Sequence, residues 1–328
     1  MSVNDFPLDA LLHLDAVGRA TTPTAMIPVP LADTPQSPTV AVWAKLELQL
    51  PSGSTKDRIA AHILRNAIAD DWVRPATTVI EASSGSTSIS FAMLCARLGI
   101  SFVAYMPEGV SRERLRIIEE FGGSWELTPA AEGVPGAIAR VRERATEPDT
   151  YWPDQFDNPR NARAHELVTG PQLIDQMQTQ AGRLPAGFVA AVGTAGTLMG
   201  IGRALRRHDE KAVIARVRLG DELVDAEQGC MVAPERRGAG GPGIPGVVDC
   251  LSGLLDPDEF GLAEDIVITH AEAMAATREL RRLGFPVGPS SGLNFAGARV
   301  LARRLGPGAP VATVFCDRME RYFSIEGG

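Results

Sequence analysis

The stretch GFVAAVGTAGTLMGIGRAL, residues 187–205, decides how the chain is read. Residues 187–192 are a short apolar run, the mark of a strand buried on both faces. From Gly196 onward the apolar positions switch to helical spacing. Between the two, Gly193 and Gly196 allow close backbone approach, and Thr194 and Thr197 add hydroxyl donors. Such a turn aims backbone N–H groups and the positive end of a helix dipole at one point, which suits an anion. The same spelling also serves a plain tight turn. The glycine spacing over 193–202 resembles a dinucleotide fingerprint, but no acidic residue closes a nearby following strand to hold a ribose.

Outward from this unit the same alternation recurs. TVAVWAKLEL (39–48), TTVIEA (77–82), SFVAYM (101–106), AVIARVRL (212–219) and PVATVFC (310–316) read as further buried strands. Helical periodicity covers 56–70, 87–98, 112–121, 134–146, 163–178, 196–208, 270–283 and 292–305. Gly122-Gly123 ends one helix, and THAE (269–272) opens another as a capping box. Strands alternating with helices predict an α/β fold of doubly wound, mostly parallel sheets. A chain of 328 residues is long enough for two lobes. TEPDTYWPDQFDNPRN (146–161) has loop composition and reads as the crossing between them. This divides the chain into a smaller, mobile domain over 45–150 and a larger one made of 1–44 and 151–328. DAEQGCMVAPERRGAGGPGIPG (225–246) reads as a long functional loop.

Composition narrows the class. Apolar residues make up 45% and charged residues 22%, as in soluble globular enzymes. A net charge of -8 argues against nucleic acid or an anionic membrane as partner. Cys95, Cys230, Cys250 and Cys316 form no metal-ligand spacing and read as buried free thiols. His13, His62, His208 and His270 show no metal-site spacing either, so no metal is expected. The N-terminus carries Asp5, Asp9 and Asp15 before its first arginine, the reverse of a signal peptide, and no apolar run is long enough to span a bilayer. A cytoplasmic protein is expected.

Two further turns carry candidate chemistry. In SGSTKDR (52–58), Lys56 follows small and hydroxyl-bearing residues at a predicted helix start. In EASSGSTS (81–88), Ser83, Ser84, Gly85, Ser86 and Thr87 present N–H groups and hydroxyls at another helix N-terminus. Taken alone, Lys56 could be a solvated charge. Together the three turns offer an amine, a carboxylate-sized cradle and a phosphate-sized cradle, each beyond a strand end, where open α/β sheets bind ligands. A cofactor with an aldehyde and a phosphate would engage them all.

Six motifs, in order, resemble the cysteine synthase branch of the fold-type II pyridoxal-phosphate enzymes, which includes cystathionine β-synthase and shares the tryptophan synthase β fold. LPSGSTKDR (50–58) is similar to N-P-x-G-S-x-K-D-R, EASSGSTS to E-P-T-S-G-N-T-G, and GTAGT (193–197) to G-T-G-G-T. YWPDQFDNPRNARAHELVTGPQL (151–173) is similar to Q-F-x-N-P-x-N-x-x-x-H-x-x-T-G-P. VGPSSGLN (287–294) resembles G-I-S-S-G-A, and MERYFS (319–324) resembles G-E-R-Y-L-S.

The resemblance implies pyridoxal 5'-phosphate as cofactor. It implies that Lys56 forms the internal aldimine and moves the α-proton. Gly193, Thr194, Ala195, Gly196 and Thr197 would hold the phosphate, Ser290 the pyridine nitrogen, and Ser86 the ring hydroxyl. Ser83, Ser84, Gly85, Thr87 and Gln155 would hold the substrate carboxylate. A neutral serine at the ring nitrogen makes a weaker electron sink than an aspartate, which favours rapid loss of a β-substituent. The implied reaction is β-replacement on O-acetyl- or O-phosphoserine through an α-aminoacrylate, with sulfide or another small nucleophile, in a homodimer. The alternatives are β-elimination from cysteine, synthesis of a non-protein amino acid, and a homologue without turnover. His165, at the family histidine, is expected to make a structural hydrogen bond. Arg218, Arg236 and Arg237 are candidates for a phosphate leaving group, or plain solvated charges. The chain departs from the family at Ser86 (asparagine), Ala195 (glycine), GVVD (246–249), VRLGDE (217–222) and Cys316 (proline). Ala195 is tolerable with a negative φ and strained otherwise.

Overall fold

The computed structural model describes residues 6–19, 23–30, 41–220, 244–247, 252–262 and 265–326. Cys230, Asp249, Cys250, Arg236, Arg237 and most of the 225–246 loop lie outside them. The described strands are β1 (Met26–Pro30), β2 (Ala41–Lys45), β3 (Thr78–Ala82), β4 (Ser101–Pro107), β5 (Ser124–Thr128), β6 (Thr150–Tyr151), β7 (Gly187–Ala191), β8 (Val213–Leu219), β9 (Ile266–Ile268) and β10 (Val311–Val314). Between them run helices α1 (Leu8–Arg19), α2 (Lys56–Ala69), α3 (Ser86–Leu98), α4 (Arg112–Glu120), α5 (Gly133–Arg144), α6 (Arg160–Ala164), α7 (Gly170–Ala181), α8 (Gly196–His208), α9 (His270–Arg282) and α10 (Pro289–Leu305). The strands form one six-stranded sheet, ordered β1-β2-β10-β7-β8-β9, and one four-stranded sheet, ordered β5-β4-β3-β6. Every pairing is parallel except β1 with β2. The fold is the α/β, mostly parallel architecture that the sequence predicts.

Both sheets are covered on two faces, and the period-2 alternation of strands explains how. On β7, Val189 packs toward α9 and α10, while Phe188 and Ala190 pack toward α7 and α8. On β3, Val79 joins the core of α1, α2 and α3, while Ile80 and Ala82 meet Ala137 and Val141 of α5. Each fully buried large side chain such as Phe188 contributes about 1.5–3 kcal/mol. The capping box expected at 269–272 is present, with Thr269 and Glu272 each bonding the other's backbone.

The structure differs from the sequence reading in places. Helix α1, to which the periodicity assigns no element, packs Ala10, Leu14 and Val17 into the smaller sheet's core, joined by Phe6 just before it. Strand β5 escapes the apolar pattern because it is a largely exposed edge. Strand β6 lies inside the stretch read as a loop and pairs two residues with β3. The helix read over 163–178 is broken by a π-helical turn at His165–Thr169.

Candidate active site

Four strand ends open on one cavity of about 720 Å³, counting its mouth. From β2 the chain passes through Ser54 and Thr55 to Lys56, the first residue of α2. From β3 it supplies Ser84, Ser86 and Thr87, from β7 the run Gly193–Thr197, and from β10 the pair Cys316 and Asp317. Ser290 and Asn294 of α10 and Gly246 and Val247 complete the wall with Arg114 of α4.

Lys56 lines this cavity, and burial holds its amine below the ordinary lysine value. Nearby Asp317 pulls the amine back up, and Arg321 pushes it down. The net shift favours an uncharged amine, the form that is a nucleophile and a base. The thiol of Cys316 is pushed up to about 11 by burial, against the influence of Lys56 and a hydrogen bond with Ser290. It is a protonated lining group.

The turn after β7 is built by close approach. A Cβ on Gly196 would collide with the Asn161 side-chain oxygen, and one on Gly193 with the Gly246 carbonyl. Asn161 Nδ2 donates to Thr194 Oγ at 2.8 Å, and Thr197 Oγ lies 3.3 Å from His165 Nε2. His165 is fully buried, and burial lowers its imidazole to about 3, so it stays neutral between Thr169 and Thr197. Ala195 has φ 60°, the left-handed region that an alanine enters only with strain.

The turn after β3 is held by side chains. Ser83 shares a 2.6 Å hydrogen bond with Ser88 and accepts from the Gly85 N–H. Thr87 donates to Gln155 Oε1 at 2.7 Å, and Gln155 Nε2 donates to the Ala82 carbonyl. Both ends of the Gln155 amide are thus engaged behind the turn, whereas Ser84, Ser86 and Thr87 face the cavity. Ser86 donates to Asp317 Oδ2 at 3.0 Å and accepts from Arg321 Nη1 at 3.3 Å.

Asp317, Arg321 and Arg114 are absent from the sequence-based candidates. The polar run that follows strand β10 straight into the MERYFS motif is the one available signal for the first two. Arg114 leaves none. Arg218, a candidate for a phosphate leaving group, instead pairs with Asp265 at 3.1 Å and does not line the cavity.

Comparisons with known proteins agree with this geometry. The model of the pyridoxal-phosphate dependent enzyme family matches residues 17–317. The chain belongs to this family. It is 35% identical to a cysteine synthase of Staphylococcus aureus over 86% of its own length and 87% of the relative's. Among solved structures, it is similar to a hydrogen sulfide-producing enzyme from Fusobacterium nucleatum, with TM-score 0.82 and 30% identity, covering 97% of this chain and 91% of the other. It is also similar to an O-acetylserine dependent cystathionine beta-synthase from Helicobacter pylori, with TM-score 0.79 and 30% identity, covering 95% and 96%. The fold is that of the fold-type II enzymes, and the cofactor is pyridoxal phosphate.

The lining residues fit that cofactor. An amine, a glycine turn without room for Cβ atoms at a 13-residue helix N-terminus, and a serine at the start of α10 make a complementary donor set. Three cavity residues also carry buried polar atoms with no hydrogen-bond partner: Thr55 Oγ, Arg114 Nε and Asp317 Oδ1. Unmet polar atoms gathered at one cavity are what a polar ligand would satisfy. Among the described residues, no helix is long and apolar enough to cross a membrane.

Proposed function

We propose that the protein replaces the β-substituent of an activated L-serine, O-acetyl- or O-phosphoserine, to give L-cysteine or a related β-substituted alanine. The observation that carries this reading is Lys56, an amine whose burial favours its uncharged form, in one cavity with two hydroxyl-bearing turns at helix N-termini. Bound pyridoxal phosphate supplies the electron withdrawal that loosens the α-proton and the β-substituent. Lys56 anchors the cofactor and then takes the α-proton at its Nζ, acting as covalent group and base in turn. Gly193, Thr194, Ala195, Gly196 and Thr197 hold the phosphate with backbone N–H groups and hydroxyls at the α8 N-terminus. Ser290 meets the ring nitrogen as a neutral donor, and Ser86 meets the ring oxygen. The turn of Ser83, Ser84, Gly85, Ser86 and Thr87 holds the substrate carboxylate, with Gln155 fixing it from behind. Residues 45–150 act as the smaller unit that closes over the cavity and excludes water. The working form is a cytoplasmic homodimer, for which Leu8 and Leu12, neighbouring exposed apolar residues on α1, offer a contact surface.

A second reading is release of sulfide from cysteine. It is favoured by the likeness to the Fusobacterium nucleatum hydrogen sulfide-producing enzyme. The test is to give the holoenzyme O-acetyl-L-serine or O-phospho-L-serine with sulfide, and L-cysteine alone. Faster cysteine formation than sulfide release is the expected result. Sulfide release with no consumption of either activated serine overturns the first reading and installs the second.

A further inference from the structure

Arg58, Arg114 and Arg321 are the buried guanidinium groups among the described residues, and two of them have evident partners. Arg58 donates to both Glu47 carboxylate oxygens, at 2.9 and 3.0 Å. Arg321 donates to Ser86 and to the Ser52 carbonyl. Arg114 differs. It is 2% exposed, its Nε is buried without an acceptor, and it lines the cavity. Its guanidinium lies over the Tyr322 ring, 4.5 Å from the centroid. That contact covers one face of the group, but the Nε–H lies in its plane and has no acceptor. A buried cation with an unmet donor is held at a cost, and the molecule tolerates it where a ligand completes the site.

The side chain also crosses the turn after β3. Gly85 has φ 139°, and a Cβ there would collide with Arg114 Cδ. The glycine of this turn therefore makes room for the arginine. Backbone N–H groups at the start of α3, the open hydroxyl of Ser84 and the Arg114 guanidinium then bear on the same part of the cavity. All favour negative charge.

We propose that Arg114 is a specificity-determining residue that receives an oxyanion of the amino-acid substrate. This deepens the function proposed above and rests on it. Two groups share the required chemistry, the α-carboxylate and a phosphate on the β-carbon, and a carboxylate-blocked ligand separates them. The holoenzyme is titrated with L-serine, L-serine methyl ester and O-phospho-L-serine, and binding is read from the cofactor's absorption. In Arg114→Gln, losing a charge-assisted hydrogen bond weakens the affected ligand by roughly ten- to a hundredfold. Weakening of L-serine and O-phosphoserine with the ester unchanged identifies the α-carboxylate. Weakening of O-phosphoserine alone identifies the phosphate. Unchanged affinity for all three overturns the proposal, as does an equal loss for all three with a lowered unfolding midpoint, the mark of a purely structural arginine. Should Arg114→Gln not fold, Arg114→Lys carries the same comparison, with severalfold losses expected for the anionic ligands and none for the ester. Failure of the wild type to turn over either activated serine would sink the reaction assignment while leaving this binding comparison intact.

Discussion

The turn at 193–197 and the turn at 83–87 line one cavity and are built by opposite means. The first is set by exclusion. Gly193 and Gly196 pack where any Cβ would strike Gly246 or Asn161, and its neighbour His165 is held neutral by burial. The second is set by a hydrogen-bonded polar network with an ionisable base. Glu81, fully buried under it, accepts from the Ala82 and Gln155 N–H groups and from Trp152 Nε1. Asn161 ties the two together, donating to the Gln155 carbonyl and to Thr194. Under the function proposed above, the shape-defined turn would take the invariant cofactor and the chemically adjustable turn the varying substrate.

The harshest test of that contrast is Gly196→Ala. The added methyl meets Asn161, whose displacement would loosen both turns. Overpacking of this kind costs about 1–3 kcal/mol or more. Cofactor retention is expected to be lost, measured as bound pyridoxal phosphate per chain after gel filtration. In contrast, Ser84→Ala should keep the cofactor and weaken substrate. A Gly196→Ala protein that holds cofactor as the wild type does would break the comparison.

The next test is pH. Burial is the main cause that raises the Glu81 carboxyl, from 4.5 to about 8, and its three donors only partly oppose this. The folded state therefore holds a proton that the unfolded state releases, so this contribution is present below pH 4.5 and is lost as pH rises through about 8. A loss of a few kcal/mol is expected across that window. Glu47, equally buried, behaves oppositely. Burial would raise it, but Arg58, with Lys45 and Thr24, holds it down at about 2, so its contribution exists above 4.5 and fades toward pH 2. Urea unfolding of wild type and Glu81→Gln between pH 4.5 and about 8 checks the sign. The variant should be flat where the wild type weakens, and substrate KM should rise with pH only in the wild type. Identical slopes in the two proteins would remove Glu81 from the account.

These contrasts show which parts were legible from sequence. Apolar strands such as 187–192 announce themselves because both faces are buried, and the glycine and hydroxyl turns follow from their places at strand ends. Strand β5 does not, because SWELT has one buried residue and no apolar rhythm. Arg114 does not, because its cavity position arises from packing across Gly85 and Tyr322, which are distant in sequence. The resemblance implies Gln155 as a carboxylate ligand, but its engagement behind the 83–87 turn depends on where Ala82 and Thr87 come to rest. The strain at Ala195 depends on the sign of one dihedral, which no residue type fixes.

That dihedral supplies the smallest and most discriminating test. At φ 60° an alanine costs about 1–2 kcal/mol relative to glycine. Two terms oppose its replacement. Ala195 is buried among Leu198 and Met199, and removing its methyl forfeits about 0.8 kcal/mol. Glycine also enlarges the freedom of the unfolded chain, by about 0.4–1 kcal/mol. The terms nearly cancel, which explains why alanine can stand at this position. Ala195→Gly should therefore move the unfolding free energy by less than about 1 kcal/mol and leave cofactor content unchanged. Ala195→Val, branched at Cβ in the same region, should cost about 2 kcal/mol or more. If Ala195→Gly instead stabilises the protein by well over 1 kcal/mol, the strain is uncompensated, and the 193–197 turn is held under tension rather than by fit.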